Sequence, residues 1–449
     1  MPTDLLPILK TWGRMRASEL QLRMGVSRAT MMRAVKAQSD RVIVRGNARR
    51  AAYAARRKVR GSDAAIKLFR IDEQGRGAQI GLLDPVYPHG AALLLQQSFE
   101  WPLPDDMADG WFDGLPYPFD DMRPQGFLGR GFARQHALLL QTSEDPVRWS
   151  EDDVLHALSL FGVDLPGNYI VGEAAYRQFL QLRQTPLPFL DDDERLIARS
   201  YADLATKALQ DGAVASSAGG EFPKFLARRM VGLEKCHVLV KFSGNDASPS
   251  SQRWADLLAC EHLAHKTIAD ELGLAASQSR LYKSGARTFL EVLRFDRHGE
   301  FGRSPVCSWL ALNAALLGVP GHSWIAGANA LLGMKLITRE TADDVARIWH
   351  FGQLIANTDM HEGNLSFRPG LTLAPVYDML PMKYAPVRGV ELPVREFTPR
   401  LPLPDESAMW TEAARAAIVF WESAGTDRRI SAGFRTLCKA NAKLLRTMA

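Results

Sequence analysis

The stretch Leu354-Ile-Ala-Asn-Thr-Asp359-Met-His361-Glu-Gly-Asn364, followed by Pro375-Val-Tyr377-Asp378, constrains this chain more than any other feature. An Asp stands five residues before an Asn, and a second Asp follows two short apolar runs. The periodicity from about Thr341 to Ile355, with Val345, Ile348, Trp349 and Ile355 on one side, predicts a helix running into the polar loop. Leu365-Ser-Phe367 and the run from Leu371 to Tyr377 predict two strands, with Arg368-Pro-Gly370 as the turn. Pairing across that turn brings Asn364 near Asp378. Two ligands of one hard cation need that proximity, since magnesium takes oxygen ligands at about 2.1 Å. Asp359 then remains to accept a proton from an attacking hydroxyl, which is the spacing of a phosphoryl-transfer centre. Taken alone, an Asp-x4-Asn loop is also what a solvated turn looks like. The upstream sequence decides between the two.

Ser216-Ser-Ala-Gly219-Gly220-Glu-Phe-Pro-Lys224 is a candidate phosphate-covering loop, its glycines letting backbone N–H groups approach a triphosphate. Cys236-His-Val-Leu-Val-Lys241-Phe then reads as a short apolar strand ending in a lysine suited to pair nucleotide phosphates. The helix predicted over Gln252 to Leu272 carries Glu261 on the same face as Trp254, Leu258, Ile268 and Leu272. A carboxylate on a buried stripe calls for a cation, and Lys241 is the natural one. Arg287 to Phe295 predicts a strand ending at Asp296-Arg297, placed to serve as a backbone hinge for adenine. Glycine loop, strand lysine, helix glutamate, hinge, Asp359, Asn364 and Asp378 thus stand in protein-kinase order.

At 449 residues, 46% apolar and 23% charged, the chain has the make-up of a soluble globular protein with roughly two to four domains. Trp309 to Met334 is broken by Asn313, Pro320, Gly321, His322, Ser323 and Asn329, so it predicts two core helices around a Val319-Pro-Gly turn, not a membrane span. No secretory leader is expected, and Cys236, Cys260, Cys307 and Cys438 form no metal spacing, so they read as buried thiols of a reducing cytoplasm. The net charge of +5 conceals an asymmetry. Residues 1–60 hold 15 Lys/Arg against Asp4, Glu19 and Asp40, a net of +12, which leaves −7 for the remainder.

Within that basic segment, residues 18–37 predict a helix, a turn at Gly25 and a second helix capped by Ser27, the spacing of a helix-turn-helix. Arg28, Thr30 and Arg33 are expected on its outer face, with Ala29, Met32 and Val35 turned inward. Arg41 to Arg45, Gly46-Asn47 and Ala48 to Ala54 predict a hairpin with Arg45, Arg49 and Arg50 near its tip. A winged helix-turn-helix that binds double-stranded DNA is the expectation. A small bundle with a solvated basic face is the plain alternative.

With these residues in view, the chain resembles the HipA-like serine/threonine kinases of bacterial toxin–antitoxin systems, and among them the YjjJ-like members with an N-terminal DNA-binding segment. The likeness is carried by Gly219-Gly220-Glu-Phe-Pro-Lys224, Val240-Lys241, Glu261 with Glu271-Leu-Gly273-Leu, Val292-Leu-Arg-Phe-Asp-Arg297, Asn357-Thr-Asp359-Met-His361-Glu-Gly-Asn364 and Tyr377-Asp378, across residues 70 to 440. It implies Asp359 as catalytic base and Lys241 as phosphate lysine. It further implies Leu293, Arg294 and Phe295 as the adenine hinge, His361 to Asn364 as nucleotide and metal contacts, Tyr377 as a cofactor contact and Asp378 as the metal ligand. Two positions depart from the pattern: Gly363 stands where a lysine is usual, and Leu293 where the hinge usually has Glu. The resemblance also implies self-inactivation at a loop serine. Here Ala218 falls near that place, with Ser216 and Ser217 beside it.

The expected architecture is α+β: a two-lobed kinase-like fold with an N-terminal winged helix-turn-helix. Its parts would be residues 1–60 for DNA, 61–205 a β-rich subdomain, 206–300 a nucleotide-binding N-lobe and 301–449 a helical C-lobe. The expected function is an ATP- and magnesium-dependent protein serine/threonine kinase of toxin type in the cytoplasm. Its DNA target would include the promoter of its own operon, an antitoxin is an expected partner, and an aminoacyl-tRNA synthetase is the acceptor the resemblance suggests. A small-molecule phosphotransferase, or a transcription regulator whose kinase-like domain senses nucleotide, are the alternatives.

Overall fold

The structure is a computed structural model in which residues 4–212, 222–318, 323–387, 392 and 395–448 are described. The N-terminal unit runs α1 (Leu5–Trp12), β1 (Met15–Arg16), α2 (Ala17–Met24), α3 (Arg28–Ala37), β2 (Val42–Arg45) and β3 (Ala52–Ala55), with an antiparallel sheet in the order β1-β3-β2. Gly25 closes α2 at φ 63°, and the Ser27 hydroxyl accepts the N–H of Thr30 to start α3. Leu5, Leu9, Leu20, Met24, Met31, Val35, Val42 and Tyr53 form its core. Met31, not Met32, is the buried methionine of α3, because Met31 and Val35 are one turn apart on the face toward α1 and α2, while Met32 is 44% exposed.

The next unit is a five-stranded sheet of β4 (Ile66–Ile71), β5 (Gly77–Pro85), β6 (Ala91–Leu95), β7 (Trp111–Phe112) and, after α4 (Gly126–Leu140) and α5 (Glu151–Phe161), β8 (Tyr169–Val171), in the order β7-β6-β5-β4-β8. With α6 (Glu173–Gln184) it is more helical than the β-rich reading implied. The N-terminal unit is fixed to this sheet by Ile43, Ala52, Ala54, Val86, Ala92 and Trp111 and by backbone bonds from Tyr87 N to Ala55 O and from Arg57 N to Pro85 O.

The helix α7 (Glu194–Gly212) crosses the boundary expected at 205/206. Ile197, Tyr201 and Ala205 pack with Phe225, Val240, Phe242 and Phe289, so α7 belongs to the lobe of the four-stranded sheet that follows. That lobe is a four-stranded antiparallel sheet in the order β11-β12-β10-β9, built from β9 (Lys224–Val231), β10 (Glu234–Phe242), β11 (Ser279–Ser284) and β12 (Arg287–Leu293), with α8 (Pro249–Leu272) between β10 and β11. Small pairs β13 (Arg297–His298) with β14 (Gly302–Arg303), and β15 (Cys307–Ser308) with β16 (Ser366–Arg368), which also pairs β17 (Thr372–Leu373), line the junction with the helical lobe. The helical lobe holds α9 (Trp309–Leu316), α10 (Trp324–Gly333), α11 (Arg339–Leu354), α12 (Ser407–Thr426) and α13 (Ala432–Arg446), packed around Trp309, Phe351, Phe420 and Trp421. The turn expected at Val319-Pro-Gly, the glycine loop with Gly219 and Gly220, and Ser216 and Ser217 lie outside the described residues. Among the described residues, no helix is long and apolar enough to cross a membrane.

Candidate functional site

The cleft between the sheet and the helical lobe collects the residues singled out at its floor. Lys241, near the end of β10, donates to Glu261 of α8 at 2.7 Å and also to Asp378. Lys241 and Glu261 are 4% and 1% exposed, so neither charge reaches water in quantity. Such a pair persists only because each partner compensates the other's desolvation. Burial alone would depress the lysine, but Asp378 and Glu261 together hold its pKa above the ordinary value. Asp378 is correspondingly held below the usual carboxylate range by Lys241 and Lys224, against its own burial. Burial, with Asp378 nearby, pushes Glu261 up to about 7 although Lys241 acts to lower it. One lysine therefore serves two carboxylates, and Glu261 Oε2 is buried without a hydrogen-bond partner among the described residues. A cation at Asp378 fits this surplus of negative charge.

The hairpin read from sequence forms: Phe367 pairs Leu373 and Arg368 pairs Thr372. The segment leading to Asp378 is pinned from the other side by Ser277 N to Val376 O and Val376 N to Ala275 O. Asp378 itself takes φ 55°, a left-handed conformation that costs a non-glycine residue roughly 1 kcal/mol or more and that Asp tolerates better than most. Asn364 donates through Nδ2 to the carbonyl of Asp359 at 2.7 Å, leaving its Oδ1 as the group able to ligate a metal. Asp359 reaches solvent, yet partial burial and Asp378 raise its pKa above the ordinary carboxylate value, opposed by His361, Lys224 and Lys241. Among the described residues, no group of three or more His, Cys, Asp or Glu could hold a metal unaided. The donor set of Asn364 and Asp378 suits magnesium, which completes its shell with phosphate oxygens and water.

Three residues not assigned from sequence shape this cleft. Asn357, 3% exposed, accepts the N–H of Asp359 at 3.0 Å and donates to the carbonyl of Asp378 at 3.2 Å, so one buried amide sets the backbone of both carboxylates. Its place two residues before Asp359 was the available signal. Gly352 of α11 lets Met360 lie against the helix, since a Cβ there would stand 2.3 Å from the Met360 sulfur. Ser366 shares a 2.7 Å hydrogen bond with the Tyr377 hydroxyl, which donates to Gly363 O at 2.7 Å, joining the Asp359–Asn364 loop to the segment that ends at Asp378. Tyr377 therefore acts here as a strut, with its ring 5.9 Å from that of Phe295.

At the hinge, the N–H groups of Leu293 and Arg294 already bond Gln278 O and His237 O, which leaves Phe295 as the hinge residue whose N–H could read a base. The Arg294 side chain turns away from the cleft to Asp164 and Asp296. His361 caps the short turn Glu362–Asn364 by accepting the N–H of Gly363, and is exposed. Lys224 faces Lys241 across the β9–β10 ladder, on the same side of the sheet, and its charge is felt at Glu261, Asp359 and Asp378. It is a second positive charge beside Lys241, in a loop-and-strand set where Gly363 carries none.

The basic N-terminal face is less uniform than its sequence. Arg28 and Arg33 are exposed on α3, and Arg33 donates to the Thr30 hydroxyl at 3.2 Å. Arg49 is exposed with no ion-pair partner among the described residues. Arg45 and Arg50 point elsewhere: Arg45 joins Arg56 on the buried Asp84, each at 3.0 Å, and Arg50 meets Asp109 at 2.8 Å. Arg57 and Arg60 likewise pair with Asp152 and Asp153. Much of the segment's charge is thus neutralised by the acidic body behind it.

A mixed sheet-and-helix lobe over a helical lobe, with a lysine–glutamate pair above an Asp, Asn and Asp, defines the protein-kinase-like class. Residues 62–180 match the family described as "YjjJ-like toxin, middle domain", and residues 216–441 match "HipA-like C-terminal domain". The curated "Toxin YjjJ" of Escherichia coli (strain K12) is 37% identical over 441 residues, covering 97% of this chain and 95% of that protein. Among solved structures, a Shewanella oneidensis MR-1 complex of HipA, HipB and its operator DNA matches at TM-score 0.51 and 13% identity, over 84% of this chain and 95% of that one. The Helicobacter pylori proinflammatory kinase CtkA matches 49% of this chain and 90% of its own at TM-score 0.35 and 10% identity, too slight a likeness to argue from. The chain belongs to the HipA-like toxin family, in its YjjJ-like branch.

Proposed function

We propose that this protein is an ATP- and magnesium-dependent serine/threonine protein kinase of toxin type that also binds double-stranded DNA through residues 1–60, folded as a winged helix-turn-helix. The observation that carries the kinase reading is Lys241 held between Glu261 and Asp378, with Asn364 bonded to the backbone of Asp359 beside them. Magnesium, when bound at Asn364 and Asp378, supplies positive charge against the phosphate oxygens. Lys241, fixed by Glu261, binds and orients those phosphates, and Lys224 adds charge from the neighbouring strand. Asp359 accepts the proton of the acceptor hydroxyl, and Asn357 holds that carboxylate's backbone in place. Phe295 offers the hinge N–H to adenine.

DNA would lie against α3, whose Arg28, Thr30 and Arg33 stand at the exposed start of the helix, with Arg49 reaching a flanking phosphate. Arg45 and Arg50 serve instead to hold the unit to the body. An antitoxin partner, an aminoacyl-tRNA synthetase as acceptor, and a cytoplasmic site of action belong to the same reading. The deciding experiment is transfer of labelled phosphate from ATP to protein in a cell lysate, wild type against Asp359→Asn. Transfer only to small hydroxylated compounds would favour a small-molecule phosphotransferase. Nucleotide binding without any transfer would favour a nucleotide-sensing regulator.

A further inference from the structure

The five-stranded unit grips the hinge of the nucleotide lobe through one carboxylate. Asp164 lies in the link between α5 and β8 and accepts Arg294 at 2.9 Å and Arg297 at 2.8 Å. The same link is stitched on further: Gly167 N donates to Asp296 at 3.0 Å, Arg297 donates to Gly167 O at 2.9 Å and to Leu165 O at 2.6 Å, and Arg303 donates to Val163 O. Three guanidiniums, those of Arg294, Arg297 and Arg303, therefore gather around two carboxylates, Asp164 and Asp296. Arg297 is 2% and Arg294 11% exposed, so their charges depend on those partners, while Asp164, 43% exposed, meets them from the solvent side. Arg294 is also the middle residue of the hinge, its own N–H bonded to His237 O at 2.9 Å on β10. The hinge is held on one side by that strand and on the other by Asp164.

We propose that Asp164 is a positioning residue for the nucleotide site, acting through Arg294 to fix the hinge backbone at Phe295 that reads the base. The proposal rests on the kinase reading above. Without the Asp164 charge, three guanidiniums share Asp296 alone, and their mutual repulsion displaces the Arg294 side chain and the hinge with it. The phosphate end of the site is anchored separately by Lys241, Glu261 and Asp378, so the two ends respond differently.

The test uses full-length protein with magnesium and compares binding of adenylyl imidodiphosphate, its guanine counterpart and inorganic tripolyphosphate. Asp164→Asn should raise the Kd for the adenine nucleotide roughly tenfold, the equivalent of one weakened charge-assisted hydrogen bond, and erode the preference for adenine over guanine. Tripolyphosphate affinity should stay within about twofold. Asp164→Glu, which keeps the charge, should retain most of the adenine preference, and it also serves if Asp164→Asn does not fold. Equal losses for tripolyphosphate and adenine nucleotide would mean a merely structural role and overturn the proposal. So would an unchanged adenine preference in Asp164→Asn, or the loss of that preference in Asp164→Glu. A wild-type protein that binds none of the three ligands would overturn the kinase reading, and this inference with it.

Discussion

The Lys241–Asp378 cleft and the N-terminal unit were both legible as patterns of charged residues, and the structure treats the two patterns in opposite ways. In the cleft, residues as far apart as Lys241, Glu261 and Asp378 meet, and Asn357 ties Asp378 to Asp359, whose carbonyl Asn364 bonds. In the N-terminal unit, arginines close in sequence diverge: Arg28, Arg33 and Arg49 face outward, while Arg45, Arg50, Arg56, Arg57 and Arg60 reach back to Asp84, Asp109, Asp152 and Asp153. The reason is physical. A hard cation, a phosphate and a proton acceptor demand particular groups at fixed distances, so spacing is informative. Positive charge is attracted to any nearby anion, whether a phosphate of a nucleic acid or a carboxylate of the protein's own body, so a count of arginines does not say which partner wins.

The largest expected effect lies in the cleft. Asp359→Asn should lower phosphoryl transfer by roughly 10²- to 10⁴-fold while ATP affinity stays within a few-fold, because the base acts on the acceptor. Full activity in that variant, measured with labelled ATP, would undo the convergence argument. Next comes the interface that absorbs the N-terminal charge. Asp84→Ala leaves Arg45 and Arg56 facing a buried site without their carboxylate, and should cost about 3–5 kcal/mol in chemical denaturation. Asp109→Ala, whose partner Arg50 is 57% exposed, should cost under about 1 kcal/mol, and equal costs for the two would show that the β2–β3 hairpin is not locked by burial.

A smaller effect sharpens the cleft. Lys241→Ala and Glu261→Ala should be coupled by roughly 1–3 kcal/mol, so the double variant loses little more turnover than either single one. Additive losses in log rate would separate the pair. Finally, Arg28→Ala should weaken binding to a specific DNA site by about 1–3 kcal/mol and relax sequence preference. Arg45→Ala should lower stability before it lowers DNA affinity. A gel-shift titration in which Arg45→Ala loses more affinity than Arg28→Ala, at matched stability, would reverse the assignment of the two faces. The way α1–α3 and β1–β3 are fused to the five-stranded sheet also argues for point variants over removal of residues 1–60, which would uncover Val86, Ala92 and Trp111.

The amino-acid order alone determined the elements that local chemistry controls. Ser27 caps α3, Arg368-Pro-Gly370 turns the hairpin between β16 and β17, Glu261 falls on the buried stripe of α8, and Lys241 stands near the end of its strand. Each follows from a period, a cap or a turn residue within a few positions. What only the tertiary structure decided are the partners of groups whose local sequence permits several. Met31 rather than Met32 enters the core because α1 and α2 lie on that side. Asn357 bridges Asp359 and Asp378 only once the end of α11 and the Val376–Asp378 segment meet. Arg294 belongs to Asp164, a residue 130 positions earlier, and α7 joins the four-stranded sheet because its buried face matches β9 to β12. A buried polar or charged side chain takes whichever partner the fold delivers within hydrogen-bond distance, and sequence separation carries no information about that distance.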